Sequence, residues 1–319
     1  MSDPLHPAPG DTGRAGSHLD RLLDDSVTGW DSAIAALDST RPTLDLDGPS
    51  RHRGRTVRES LLAVGHWPGG DDLTRMREAA RTGDTSTPPR GLLDAEIRQR
   101  FAKADVDRIR QAWLDARAAL TEWRESGDAP EESALIVGGP LGKVPLGTLI
   151  GASSVALDRA LRDAGIEVPP PLAHIAVHSL VDTTGAVCAH SPGDYRLIVV
   201  TPRIAVGTAV SEGSWRTALV GPTLSATGPR IEGDEAVILD IAAGRRSPLA
   251  AASRREIAVS DVPGLLVVAR GLATAPDLPG GEALRTALST IEGISDGLGG
   301  VARRVRSALP GLLPGSRRH

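Results

Sequence analysis

An α+β protein, with an antiparallel helical bundle first and a small α/β domain second, is what this 319-residue sequence predicts. Three observations carry that reading. Apolar residues recur at helical spacing from Leu19 to about His190, short β-branched runs take over after Pro192, and Pro and Gly punctuate the junctions. Each class needs its own layer packing, which places the domain boundary near residue 192. The chain is long enough for two cores without covalent staples.

Residues 1–18, rich in Pro and Gly, read as a disordered tail, residues 19–192 as the bundle, residues 193–281 as the α/β domain and residues 282–319 as an amphipathic helix with a basic tail. Within the bundle, Leu22, Leu23, Val27, Trp30, Ile34 and Leu37 mark a first helix ending near Ser39. A loop follows, and Thr56 with Glu59 has the spacing of a capping box opening the second helix, TVRESLLAVGHW. A short charged helix, DDLTRMREAART, precedes a polar loop at residues 83–90. Leu92 to about Glu125 then reads as one long helix, its apolar stripe running through Ile97, Phe101, Ile109, Trp113 and Trp123.

Gly138–Gly139–Pro140 predicts a turn, and Pro145 to Gly165 a buried helix of about five turns, because Pro suits a first helical position and Gly a helix end. A last bundle helix spans Leu172 to about His190. YRLIVVT, IAVGTAV and WRTALV read as antiparallel strands, with LSATGPRI as a further one. EGDEAVILDIAAGRR returns to helical spacing and stops at Gly244, and VPGLLVVARGLA reads as another strand. Leu284, Leu288, Ile291, Leu298, Val301, Val305 and Leu309 mark the terminal helix, with Arg303, Arg304 and Arg306 at its far end.

Composition narrows the function. A net charge of −4 and a pI near 6.1 give no general attraction to phosphate, and one Phe, one Tyr and five Trp leave few rings for base stacking. A nucleic-acid binder is not expected. Arg supplies nearly all the basic residues, an imprint of a high-GC bacterial genome. Cys188 is the only cysteine, so no disulfide or thiolate cluster forms within the chain, and its apolar setting reads as that of a buried small hydrophobe. No secretion signal opens the sequence and no apolar run reaches bilayer length, which predicts a cytoplasmic protein without a transmembrane segment.

Three segments carry a family resemblance. HRGRTVRESLLAVGHW resembles the "GWTVRDLVAHL" helix of bacterial thiol-transferase families built on a DinB-like four-helix bundle. GGPLGKVPLGTLIGASSVALDRALRDAG resembles their later helix, which begins "GPLGPLPVATLL". WRTALVGPTLSATGPRIEGDEAVILDIAAGRRSP resembles the small α/β domain, related to sterol carrier proteins, that often follows. Together they resemble the mycothiol-dependent maleylpyruvate isomerase family. That resemblance implies a divalent metal, typically zinc, held by a His on the "TVRD" helix and a Glu and a His four apart on the later helix. Such a metal lowers the pKa of a thiol at its open position.

The sequence departs from the family at each ligand. Alignment puts the first position at Ala63 and the later pair at about Val155 and Arg159, none of which donates a lone pair to a metal. No metal or cofactor is therefore expected. A shifted alignment offers His66 and Asp158 instead, and with them the alternative of an active zinc- and mycothiol-dependent isomerase or thiol transferase.

Other constellations have bland readings beside functional ones. His174, His178 and Asp182 fall at i, i+4 and i+8 on one helix face, a spacing for metal chelation or simply a polar stripe. The lack of an H-E-x-x-H pattern favours the stripe. GGPLGK lacks the strand and the hydroxyl residue of a phosphate loop and reads as a turn. Arg245 ends a helix, where the dipole favours a cation, or else meets an anionic ligand at the domain interface. The terminal helix packs on its own domain or associates with a membrane surface or a partner. The function expected is that of a diverged relative with a degenerate metal site, binding a small apolar or anionic molecule near His66, Asp158, Arg159 and Arg245.

Overall fold

The computed structural model describes residues 16–273 except 53, 63, 65–69, 87–98, 140, 192 and 221–227. Helices come first and a sheet follows, an α+β arrangement. The expected N-terminal tail up to residue 15, Ala63, His66, the start of the long helix and the terminal helix lie outside the described residues.

Helix α1 (Gly16–Thr40) buries Leu19, Leu22, Leu23, Trp30 and Leu37 along one stripe and begins earlier than the apolar period alone implies. Helix α2 (Val57–Leu62) starts at the expected capping box. The Thr56 N–H donates to Glu59 Oε2 at 2.9 Å and the Glu59 N–H to Thr56 Oγ1 at 3.2 Å, so two end donors are satisfied reciprocally. Helix α3 (Gly70–Thr82) leads toward α4 (Val106–Glu125). The long helix expected from residue 92 is interrupted: residues 99–101 are helical, 102–103 turn, and Asp105 caps α4 afresh by accepting from the Arg108 N–H. Trp30 and Trp113 meet edge to face between α1 and α4.

A one-turn helix, α5 (Ala129–Glu132), precedes a hairpin that helical punctuation alone did not reveal. Strands β1 (Ile136–Gly139) and β2 (Gly142–Pro145) pair antiparallel, with Gly139 opposite Gly142. The expected five-turn helix is two pieces, α6 (Leu146–Gly151) and α7 (Ser153–Asp163), divided at Ala152. Two glycines of α6 let α1 approach closely: a Cβ on Gly147 would sit 3.3 Å from Leu19 Cβ, and one on Gly151 would sit 3.4 Å from Leu22. Gly165 closes α7 at φ 76°, the left-handed conformation its missing Cβ permits, and the Ile166 N–H reaches back to the Leu161 carbonyl.

Helix α8 (Pro170–Cys188) is buried at nearly every position from Leu172 onward. Leu172, Ala186 and Val187 belong to the bundle core, whereas Ala176, Val177, Val181 and Cys188 pack on the sheet. The described strands of that sheet are β3 (Tyr195–Val200), β4 (Ala205–Ser211), β5 (Ser214–Leu219), β6 (Arg230–Gly233) and β7 (Ile257–Ser260). Their order is β5-β4-β3-β6-β7, and β3 runs parallel to β6, so the sheet is mixed rather than antiparallel throughout.

Helices α9 (Glu235–Ala242) and α10 (Pro248–Ser253) lie in the chain between β6 and β7, which pair antiparallel. The segment VPGLLVVARGLA is a helix, α11 (Val262–Ala273), not a strand. Its Pro263 stands in the first turn, where no N–H is needed, and Asp261 Oδ1 accepts from the Gly264 N–H to cap it. Val268 and Ala269 face inward while Val267 and Arg270 face out, a helical division of an apolar run. No described helix is long and apolar enough to cross a membrane.

Close approach of α8 to the sheet rests on Gly185. A Cβ there would lie 2.3 Å from Thr208 Oγ1 and 2.7 Å from Trp215 Cδ1. Gly185→Ala is therefore expected to destabilise the protein by about 1–3 kcal/mol, read as a lower urea midpoint with a preserved slope; an unchanged midpoint would refute the close packing.

Candidate functional site

The stripe His174, His178 and Asp182 is present on α8, but its members take three different partners. His174 Nε2 lies 3.5 Å from Glu235 Oε1 at the start of α9. His178 Nδ1 lies 2.9 Å from Asp25 Oδ2 on α1. Asp182 is fully buried and joins three other elements: Thr148 Oγ1 of α6 donates to its Oδ2 at 2.8 Å, Trp215 Nε1 of β5 donates to its Oδ1 at 3.0 Å, and His18 Nε2 of α1 stands 3.4 Å from Oδ1. His18 also meets the Trp215 ring edge to face. Imidazole and carboxylate thus alternate across the α1–α8 seam, and each pair becomes an ion pair when its imidazole is protonated.

Burial pushes the Asp182 carboxyl up, but His18, Trp215 and Thr148 together outweigh burial and hold it below its ordinary value. Asp158 on α7 is the contrasting case. Arg162 grips it from the next turn through Nε at 2.8 Å and Nη2 at 3.0 Å, yet burial dominates and raises its pKa. Around this pair a second charged group gathers between α7 and α9. Arg245 Nη1 donates to Asp163 Oδ1 at 2.6 Å and its Nε to Asp240 Oδ1 at 3.0 Å. The candidate residues Asp158 and Arg245 are thus brought into one network, in which Arg245 faces carboxylates of its own chain.

The family's later ligand pair aligns at Val155 and Arg159 of α7. Val155 packs against the apolar cluster of α8 and the sheet and offers no donor. His66 and Ala63 fall outside the described residues. Among the described residues no three His, Cys, Asp or Glu side chains are grouped to hold a metal ion, and the α8 stripe diverges, His174 facing Glu235 and His178 facing Asp25 while Asp182 is taken by Thr148, Trp215 and His18. The Cys188 thiol is pushed up to about 12 by burial and donates to the Val268 carbonyl at 3.6 Å, the behaviour of a structural cysteine rather than a nucleophile.

Sequence reasoning identified the stripe but missed His18, Asp25, Thr148, Trp215, Arg162, Asp163, Glu235 and Asp240. The i, i+4 spacing of Asp158 and Arg162 was a usable signal. The others lie far away along the chain, and no local pattern joins His18 to Asp182.

Replacing Asp182 by Ala strips the partner from Trp215 Nε1 and Thr148 Oγ1 and leaves His18 uncompensated. A loss of about 3–5 kcal/mol at neutral pH is expected by chemical denaturation. Because its folded pKa lies below the ordinary 3.8, the Asp182 contribution is fully present above that pH and is lost as pH falls through the lower folded value. The acid limb of the stability curve is therefore shallower in Asp182→Asn than in the parent chain; an identical limb contradicts the assignment. For the Asp158–Arg162 pair, Asp158→Leu alone leaves a guanidinium unpaired, whereas Asp158→Leu with Arg162→Met removes both charges. A double-mutant cycle is expected to show the double variant at least as stable as either single one.

No known family model and no curated protein sequence matches the chain. Among solved structures, the mycothiol-dependent maleylpyruvate isomerase and a mutant form of it show a distant likeness, each at 19% identity over 77% of this chain and 95% of theirs, with TM-scores of 0.44 and 0.45.

Proposed function

We propose that the chain is a diverged maleylpyruvate isomerase-like protein that binds a small anionic or apolar molecule in the cytoplasm without the metal chemistry of its active relatives. The observation that carries this reading is the divergence of the α8 stripe: His178 pairs with Asp25 of α1, Asp182 accepts from Thr148 of α6 and Trp215 of β5, and His174 Nε2, which has no hydrogen-bond partner, faces Glu235 at 3.5 Å. Val155, at the position where the resemblance places a carboxylate ligand, supports it by lying in an apolar cluster. The ligand part draws support from buried hydroxyls. Ser153 and Ser154 on α7 and Ser179 and Thr183 on α8 have buried Oγ atoms without a hydrogen-bond partner, which suits a small polar guest or ordered water.

Elemental analysis of the purified full chain tests the metal part. Substoichiometric zinc, unchanged in His66→Ala and His174→Ala, is expected; near-stoichiometric zinc lost in either variant would overturn the reading in favour of an active thiol-dependent enzyme. Titration with maleate as an anionic probe and a dansyl-labelled fatty acid as an apolar one tests the ligand part in the presence of a chelator. Saturable binding of one of them, weakened several-fold by Ser179→Val, is the expected result, and binding of neither counts against it.

A further inference from the structure

Among the described residues, three imidazoles stand in the seams that α8 makes with α1 and α9, and one of them is held differently. His18 and His174 face their carboxylates, Asp182 and Glu235, through Nε2, and both of those nitrogens are buried. His178 faces Asp25 through Nδ1 at 2.9 Å, which leaves Nε2 on the other edge of the ring. That nitrogen has no hydrogen-bond partner among the described residues. An ionised carboxylate only accepts, so Asp25 fixes the proton of a neutral His178 on Nδ1 and the lone pair on Nε2.

A carboxylate on Nδ1 with Nε2 open is the arrangement of a general base, in which the carboxylate orients the ring and stabilises the imidazolium that forms. The pair sits where the seam meets solvent, the His178 side chain 6% exposed and that of Asp25 26%. Neighbouring carboxylates are engaged elsewhere: Asp182 accepts from Thr148 and Trp215, and Asp24 pairs with Arg124. Two buried hydroxyls belong to the same junction. Ser179 follows His178 in α8, and Ser154 of α7 faces Gly29, one turn on from Asp25 along α1, its Oγ 3.0 Å from where a Gly29 Cβ would stand. Each is at most 1% exposed, and neither Oγ has a hydrogen-bond partner. A carbonyl oxygen supplied from outside the chain is an acceptor of the kind both lack.

We propose that His178 is the general base, and Asp25 its positioning residue, for hydrolysis of small uncharged esters at the junction of α1, α7 and α8. Nε2 takes a proton from water as the water oxygen bonds to the carbonyl carbon. The tetrahedral intermediate then expels the alcohol, which takes that proton back from Nε2 as the carboxylic acid leaves. Asp25 and Asp182 around His178 disfavour an anionic substrate. This activity goes beyond ligand binding and is read with a different probe from maleate or the fatty acid, so each can fail alone.

Hydrolysis of p-nitrophenyl acetate, an uncharged ester with a coloured leaving group, tests the activity in the full chain with a chelator present. A kcat/KM about tenfold or more above that of His178→Gln is expected, with a several-fold loss in Asp25→Asn that Asp25→Glu partly restores. Equal rates in the parent chain and in a His178→Gln variant that is folded by circular dichroism overturn the proposal. The tautomer is read in the parent chain without any substitution. In a long-range proton–nitrogen correlation spectrum in mildly alkaline solution, His178 is expected to carry its proton on Nδ1 and none on Nε2. A proton on Nε2 overturns the proposal even where the ester is hydrolysed.

Discussion

One buried carboxylate sets the relation between the two halves of this molecule. Asp182 has no access to water, and an ionised carboxylate there is tolerable only because donors converge on it from α1, α6 and β5. Thr148 and Trp215 are separated by a large stretch of sequence, and the carboxylate is the one group that both address. A hydrophobic contact in its place would hold the layers together but would tolerate sliding; directed hydrogen bonds fix α8 at one height against the sheet. The cost of burying that charge is thereby converted into a single permitted register.

Small residues make this arrangement reachable. With so few aromatic rings, the protein fills its interior by bringing backbones close: Gly147 and Gly151 admit α1 to α6, and Gly185 admits Thr208 and Trp215 to α8. The same absence of bulk lets Trp215 lie against α8 with its indole nitrogen on Asp182 and its ring on His18. Packing and polar geometry are one constraint here, since a methyl group at Gly185 would displace the ring that donates to the carboxylate.

The order of helices before sheet was legible because helical spacing and β-branched alternation are local signals, and so were the cap at Thr56 and the stop at Gly165, which need only a few neighbouring residues. Features that depend on the rest of the molecule were not. The run Val262–Ala273 is apolar enough for a strand, and only its placement over β3, with Val268 inward and Val267 outward, makes it a helix. The hairpin at Ile136–Pro145 and the fresh start of α4 at Asp105 lack an apolar period of their own. At the candidate site the i, i+4 stripe on α8 could be read directly, but its meaning lay in Asp25, Thr148, Trp215 and Glu235, which no spacing rule links to it. A stripe of donors is ambiguous between a metal site and a set of cross-links until the opposing surface is known.

Two of the buried aspartates show why residue type alone does not decide function here. Asp182 and Asp158 are both almost inaccessible, yet one pKa falls and the other rises. Asp182 is addressed by groups from three other elements, so folding itself assembles its solvation shell. Asp158 is held mainly by Arg162 on its own helix, a partner it already has whenever that helix forms, and folding adds chiefly the loss of water. The Asp182 cluster is therefore what folding is arranged to complete, while the Asp158 carboxyl is carried into the interior at a cost that Arg162 and Arg245 only partly offset and Asp240 adds to. The partners that folding brings to a carboxylate, rather than residue type, thus decide how its charge is tolerated.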